Sequence, residues 1–251
     1  MKIAIITGAS SGLGVEFFKE IQKEPLDEVW AIARREKNLI DLCEKYGKIN
    51  YKILPFDITL EESMLKLEEL LEQEKPNVKF LINNAGFGVF GEVITIDKNK
   101  QSSMIDLNVR ALTEMTSIVL NYMDKGSKII NTCSIASFVP NANLASYSAT
   151  KAYVMSFSRA LRQELKKKKI NVTAVCPGPM ATEFLSVAGI GNGNSKMFDS
   201  LPYCSPQKTA SRGIKASKKG KAVYTPRFLY KFYRVLAKIV PHSILIKFVK
   251  A

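Results

Sequence analysis

A tyrosine and a lysine stand four residues apart in Tyr147-Ser148-Ala149-Thr150-Lys151, and Ser134 lies thirteen residues upstream of the tyrosine. On a helix, positions four apart share a face, with Cβ atoms roughly 5–6 Å from one another. A free phenol has a pKa of about 10, so only about one in a thousand is ionised at neutral pH. Useful proton traffic at pH 7 asks for a phenol about 4 kcal/mol easier to ionise. An ammonium about 5 Å away, at an effective dielectric of about 20, supplies roughly 3 kcal/mol of this. A second cation nearby would supply the rest. The pair is chemically sufficient for proton transfer, but helices also carry such pairs as surface decoration. The elements that position it decide between the two.

Upstream of the pair, Lys128-Ile129-Ile130-Asn131-Thr132 reads as an apolar strand, followed by a loop and the long helical pattern that holds Tyr147. At the N-terminus, Lys2 to Ile6 reads as a buried strand and Thr7-Gly8-Ala9-Ser10-Ser11-Gly12-Leu13-Gly14 as a turn opening a helix through Phe17, Phe18 and Ile21. Glycines at this junction let a pyrophosphate approach the helix N-terminus, where free N–H groups and the dipole favour anions. The spacing Gly8-x3-Gly12-x-Gly14 departs from the commoner G-x-G-x-x-G.

A second strand, Glu28 to Ala33, ends at Arg34-Arg35. About twenty residues past the glycines a dinucleotide fold places either an acid on the ribose 2′-hydroxyl or an arginine near a 2′-phosphate. Here the acid is missing and two arginines are present, which favours NADP(H) over NAD(H) because a guanidinium fork matches a phosphate. Ile49 to Leu54 is the next strand and leads to Asp57, which either accepts from an adenine amino group or caps the turn ahead of Thr59. Leu60 to Leu71 is an amphipathic helix, and Val78 to Ile82 a strand ending in Asn83-Asn84-Ala85-Gly86. Gln101 to Met123 reads as one long helix with Asn108 inside it, and Asn171 to Cys176 as a strand ending at Pro177-Gly178-Pro179-Met180-Ala181-Thr182. Strands alternating with helices, with ligand-type residues at the strands' carboxyl ends, predict an α/β doubly wound parallel sheet.

In order and spacing, Thr7-Gly8-x3-Gly12-x-Gly14, Asn83-Asn84-Ala85-Gly86, Asn108, Ser134, Tyr147-x3-Lys151 and Pro177-Gly178 resemble the short-chain dehydrogenase/reductase family, more closely its so-called classical branch. The resemblance spans roughly residues 2 to 185. It implies a single-domain Rossmann fold with seven parallel strands and helices on both faces, and a nicotinamide cofactor. It assigns Tyr147 as general acid/base, Lys151 as the group that lowers its pKa and holds the ribose hydroxyls, Ser134 as the polariser of a substrate carbonyl, and Asn108 as holder of a water in the proton path. Gly8, Ser10, Ser11, Gly12, Leu13 and Gly14 fall in the pyrophosphate turn, Asn84 with Ala85 and Gly86 by the adenosine ribose, and Thr182, after Pro177 and Gly178, near the carboxamide. Arginine at the Arg34 position also goes with NADP in that family. Hydride would pass to a carbonyl carbon while Tyr147 protonates the developing alkoxide and Ser134 hydrogen-bonds the same oxygen.

The 251 residues suit one sizeable core, taken as residues 1–225 with a substrate lid at about 183–205, and a helical extension of the same domain at 226–251. In the lid, Gly189, Gly191, Asn192, Gly193 and Asn194 interrupt Phe184, Leu185, Val187, Ile190, Met197, Phe198, Leu201 and Tyr203. With Phe138, Val139 and Leu144 near Ser134, these residues predict a hydrophobic carbonyl or alcohol substrate, a hydroxysteroid or lipid-like carbonyl being favoured. They would equally serve to seal the domain. An oxoacyl or sugar carbonyl reductase, and a non-catalytic NADPH-sensing regulator, stand as alternatives.

Cys43, Cys133, Cys176 and Cys204 show no close pairing and read as reduced thiols of a cytoplasmic protein. No run approaches the ~20 apolar residues of a membrane span, and no metal site is expected. The net charge of +14 is unevenly placed: from Ser200 to Ala251 there are twelve Lys or Arg and no Asp or Glu. No nucleic-acid module accompanies it, so nucleic acid is not expected as a partner. Between Pro226 and Ala251, Phe228, Leu229, Phe232, Tyr233, Leu236, Ile239 and Val240 recur at helical spacing among Arg227, Lys231, Arg234 and Lys238. Pro241 breaks the pattern and Ile244 to Val249 resume it. Such a basic amphipathic pair of helices lies on an anionic membrane, packs at a subunit interface or docks on its own core. The family resemblance also implies a homo-oligomer, a dimer or tetramer, through the helices bearing Asn108 and Tyr147.

Overall fold

Alternate residues of the first strand enter two different cores: Ile3 and Ile5 one, Ala4 and Ile6 the other. A strand apolar on both faces needs helices on both faces, and this one has them. The structure is a computed structural model and describes residues 1–190 and 200–247. Its strands are β1 (Lys2–Thr7), β2 (Glu28–Ile32), β3 (Asn50–Leu54), β4 (Asn77–Asn83), β5 (Lys128–Thr132), β6 (Asn171–Val175) and β7 (Val223–Tyr224). They pair in the order β3-β2-β1-β4-β5-β6-β7, every pairing parallel. The chain is thus a seven-stranded doubly wound Rossmann sheet. The order reverses between β1 and β4, which opens a crevice at the carboxyl ends of those strands.

On one face, α1 (Gly12–Ile21), α2 (Glu36–Tyr46) and α8 (Pro206–Lys218) bury Phe17, Phe18, Leu39 and Ile214 against Ala4, Ile6, Val29 and Val175. On the other, α3 (Glu61–Glu74), α5 (Leu112–Leu120) and α6 (Ala145–Glu164) bury Leu67, Leu71, Met115, Val119 and Leu161 against Ile3, Ile5, Trp30 and Ile129. A third cluster, Leu112, Cys133, Phe138, Val154 and Cys176, lies under α9 (Phe228–Ile239), which adds Tyr233, Leu236 and Ala237. The short α7 (Glu183–Val187) follows β6, and α10 (His242–Leu245) follows the break at Pro241.

The helix expected over Gln101 to Met123 is divided. α4 (Lys98–Ile105) passes into a π-helical turn, Asp106–Ala111, before α5. The cause is tertiary: Asn108 turns inward, its Nδ2 donating to the Phe87 carbonyl at 2.8 Å and to Thr150 Oγ1 at 3.1 Å, while its Oδ1 accepts from Phe87 N at 3.1 Å. A widened turn lets the amide reach Phe87 and Thr150 without ending the helix. The four lysines Lys166 to Lys169 follow the C-terminus of α6. The seventh strand is two residues long, Val223–Tyr224. All four cysteines are free and buried. Among the described residues no helix is long and apolar enough to cross a membrane, and no cluster of metal-ligating side chains occurs.

Candidate active site

The glycine turn after β1 is held by backbone geometry that side chains would block. Gly8 and Gly12 have φ of 65° and 52°, and a Cβ on Gly14 would lie 2.0 Å from the Gly8 carbonyl oxygen. Thr7 Oγ1 accepts from the backbone N–H of Asn84 and Ala85, and Asn84 Nδ2 donates back to the Gly8 carbonyl at 3.2 Å. Thr132 Oγ1 donates to Asn84 Oδ1 at 3.2 Å, so the Asn84 amide braces the turn against β5. At the start of α1, Ser11 gives no side-chain cap. The helix's first N–H groups are therefore left for an anion, which is what a pyrophosphate requires.

Ser134, at the end of β5, accepts from Ala136 N at 3.1 Å, which leaves its own hydroxyl proton to donate. Tyr147 lies on the first turn of α6 and Lys151 on the second, with the ammonium 5.8 Å from the centre of the phenol ring. Lys151 is 4 % exposed, and its Nζ donates to the Thr132 carbonyl at 3.0 Å. Burial pulls this ammonium below the usual lysine range, offset in part by the Cys133 and Cys176 thiols. The phenol of Tyr147 is pushed up: burial is the largest cause, and the Ser134 side chain acts the other way. Lys151 stays within reach of the phenol to lower its pKa, the role the family resemblance implies, and burial acts against it. Burial desolvates both partners, and the ammonium donates to the Thr132 carbonyl.

The turn and the Ser134–Tyr147–Lys151 group line one cavity of about 890 Å³. Gly8, Ser10, Ser11, Gly12, Leu13, Arg34, Arg35, Asp57, Asn84, Ala85, Gly86, Pro177, Gly178 and Thr182 line it as well. Gly14 and Asn108 do not; each supports a lining residue from behind, Gly14 under Gly8 and Asn108 beside Gly86. Asp57 takes both the N–H and the hydroxyl of Thr59 on Oδ1, the turn-capping role. Its Oδ2 lies 3.9 Å from Arg34, still inside the cavity wall.

Opposite Ser134 the wall is apolar, with Phe87, Leu144, Phe184, Leu185, Val187 and Ile190. Phe184 of the lid packs on Tyr147 with ring centres 5.7 Å apart. Of the expected lid, Gly191, Asn192, Gly193, Asn194, Met197 and Phe198 lie outside the described residues, as do Phe248 and Val249. Three residues that sequence reasoning did not place at the site, Leu229, Tyr230 and Tyr233 of α9, close the far side. Only the docking of that helix brings them there. Tyr230 packs so closely on Gly178 that a Cβ there would lie 2.3 Å from its ring.

A sequence model described as short chain dehydrogenase matches residues 2–190. The chain belongs to the short-chain dehydrogenase family. It is an oxidoreductase acting on CH–OH groups. A protein of Staphylococcus aureus named as an uncharacterized oxidoreductase is 30% identical over 183 residues, 72% of this chain and 79% of the relative. A short-chain dehydrogenase from Sphingobium yanoikuyae in complex with NADPH superposes with a TM-score of 0.80 at 24% identity, covering 98% of this chain and 96% of that one. A 3-ketoacyl-(acyl-carrier-protein) reductase from Brucella melitensis complexed with NADH gives 0.77 at 25% identity, covering 90% and 96%.

Proposed function

We propose that this short-chain dehydrogenase is an NADP(H)-preferring oxidoreductase that interconverts a hydrophobic ketone or aldehyde with its alcohol. The observation that carries the reading is a single cavity lined by Arg34 and Arg35, by the Ser134–Tyr147–Lys151 group and by apolar side chains such as Phe87, Leu144 and Phe184. The uncapped helix and the Cβ-intolerant turn fit a dinucleotide pyrophosphate, held by the backbone from Gly8 to Leu13, with Lys151 at the ribose and Arg34 and Arg35 at a 2′-phosphate. The dinucleotide, when bound, supplies or accepts the hydride.

The chain's own residues do the rest. Ser134 donates a hydrogen bond to the substrate oxygen as charge gathers on it, and Tyr147 delivers a proton to that oxygen from its hydroxyl. Lys151 keeps a positive charge beside the phenol, and Asn108 fixes the Phe87 strap behind it. Phe184 over Tyr147 keeps water from the transferred proton. Exposed Ile105 and Tyr153, on the helices α4 and α6, suit a homo-oligomer. A cytoplasmic location with the basic C-terminal helices against a membrane completes the reading.

The test is an NADPH-oxidation screen over ketosteroids, long-chain ketones, oxoacyl thioesters and sugars, repeated with NADH. Turnover of the apolar ketones with several-fold preference for NADPH is expected. Turnover confined to sugars, or equal efficiency with both dinucleotides, overturns the substrate or cofactor assignment respectively. Tight NADPH binding with no turnover of any class would favour the regulatory reading instead.

A further inference from the structure

Helix α9 faces two ways. Its inner side carries Tyr230 and Tyr233 into the catalytic cavity, while Phe228, Phe232, Val235 and Ile239 run along its outer side at 83%, 56%, 50% and 74% exposure. That stripe follows helical spacing, so it is one continuous apolar face left in water. Beside its N-terminal end opens a separate cleft lined by Arg212, Lys215, Lys219, Lys221, Arg227 and Lys231. None of these six takes part in an ion pair among the described residues. Residues 200–251 contain no Asp or Glu. Arg227, the residue before α9, whose guanidinium donates to the Tyr203 carbonyl, and Lys231 of α9 both line the cleft, which makes the two features neighbours.

We propose that this surface docks the enzyme on an anionic lipid bilayer, with lipid phosphates in the six-cation cleft and the Phe228–Ile239 stripe among the acyl chains. A second copy of the chain fits less well: residues 200–251 hold no Asp or Glu, so a two-fold contact through this face would bring cations against cations. A bilayer offers what both features lack, apolar depth under a layer of negative charge. Leu229 lines the catalytic cavity while standing half-exposed on the same helix, so docking points the cavity mouth at the lipid. Resting on the oxidoreductase reading above, this makes the substrate a carbonyl or alcohol that partitions into the leaflet.

Vesicle co-sedimentation tests the docking with no substrate present, so its outcome is independent of any turnover. The full chain is expected to bind vesicles of equimolar phosphatidylcholine and phosphatidylglycerol, to release with rising salt, and not to bind phosphatidylcholine alone. Each cation at an anionic leaflet strengthens binding about fivefold, so Lys215→Gln with Lys219→Gln should weaken it about 25-fold. Phe232→Ser with Ile239→Ser should weaken it at least as much, with NADPH-dependent turnover of a water-soluble ketone unchanged. Absence of binding by the wild type, or equal binding by the cation variant, overturns the proposal. So does a lipid-free oligomer that the Phe232→Ser, Ile239→Ser variant dissociates in sedimentation velocity, since the face would then belong to a second copy.

Discussion

Arg35 and Glu183 meet at 2.8 Å across 148 positions of chain, joining the loop between β2 and α2 to the first residue of the lid helix α7. Both side chains are about half exposed, so the bond itself contributes at most about 1 kcal/mol. Its position matters more than its strength. The same guanidinium is the one proposed to meet a 2′-phosphate, and a carboxylate already beside it competes for that charge.

Removing the competitor should therefore help the phosphate. Glu183→Gln is expected to tighten NADPH binding by up to about fivefold, the limit set by an exposed pair, while leaving NADH unchanged. Arg34→Ala and Arg35→Ala should move NADPH the other way. Fluorescence titration with both dinucleotides reads all three, and a parallel change for NADH would show that Glu183 acts on the lid rather than on the phosphate.

For the phenol, burial and catalysis pull in opposite directions. The protein's own groups hold Tyr147 protonated above its ordinary value, which suits the reducing direction, where it gives a proton away. Oxidation needs the phenolate. Between about pH 6 and 9, reduction should stay nearly flat while oxidation climbs with pH. Tyr147→Phe should abolish both, with dinucleotide affinity largely kept. The folded pKa lies above the unfolded one, so the related stability is full below about pH 10 and lost as pH rises through the folded value. Paired pH profiles in the two directions check this; an oxidation rate flat from neutrality upward would place the base elsewhere.

How much of this was legible beforehand depends on how far each feature reaches along the chain. The strand alternation at Ile3 to Ile6, the glycine turn and the Tyr147–Lys151 spacing are local, and the parallel sheet and its crevice followed from them. The π turn at Asn108 was not legible, because it answers to Phe87 and Thr150, which the chain brings close only on folding. Nor was the Arg35–Glu183 pair, or the closure of the cavity by Leu229, Tyr230 and Tyr233. An amphipathic pattern on α9 gave its apolar residues but not their division between a docked side and an exposed one.

Lys151 illustrates a residue kept for its chemistry against its cost. An ammonium almost wholly buried, bonded to a backbone carbonyl and, among the described residues, to no carboxylate, is pulled down by desolvation, and such burial opposes folding at neutral pH. Lys151→Met fills the same volume without the charge. It is expected to lose nearly all turnover yet gain about 1 kcal/mol, a rise in Tm of about 2–4 °C after the Thr132 carbonyl loses its donor. Calorimetry beside a rate assay decides: a lower Tm would mean that the ammonium holds β5 to α6 more strongly than it costs.

Gly178 and Tyr230 give the most local expectation. The tyrosine ring is fully buried, its hydroxyl donates to the Pro202 carbonyl at 2.7 Å, and a methyl group on Gly178 would fall 2.3 Å from the ring. Neither side has room to yield: the ring is pinned at its tip, and Gly178 belongs to the backbone leaving β6. Gly178→Ala should then cost about 1–3 kcal/mol, the usual penalty of overpacking. The damage should concentrate in α9, whose inner side would be lifted from the cavity. Hydrogen exchange is the discriminating measurement. Protection should fall across residues 228–239 well before it falls in β5, together with a higher KM for an apolar ketone. Uniform loss of protection would instead mean that α9 and the sheet open as one unit.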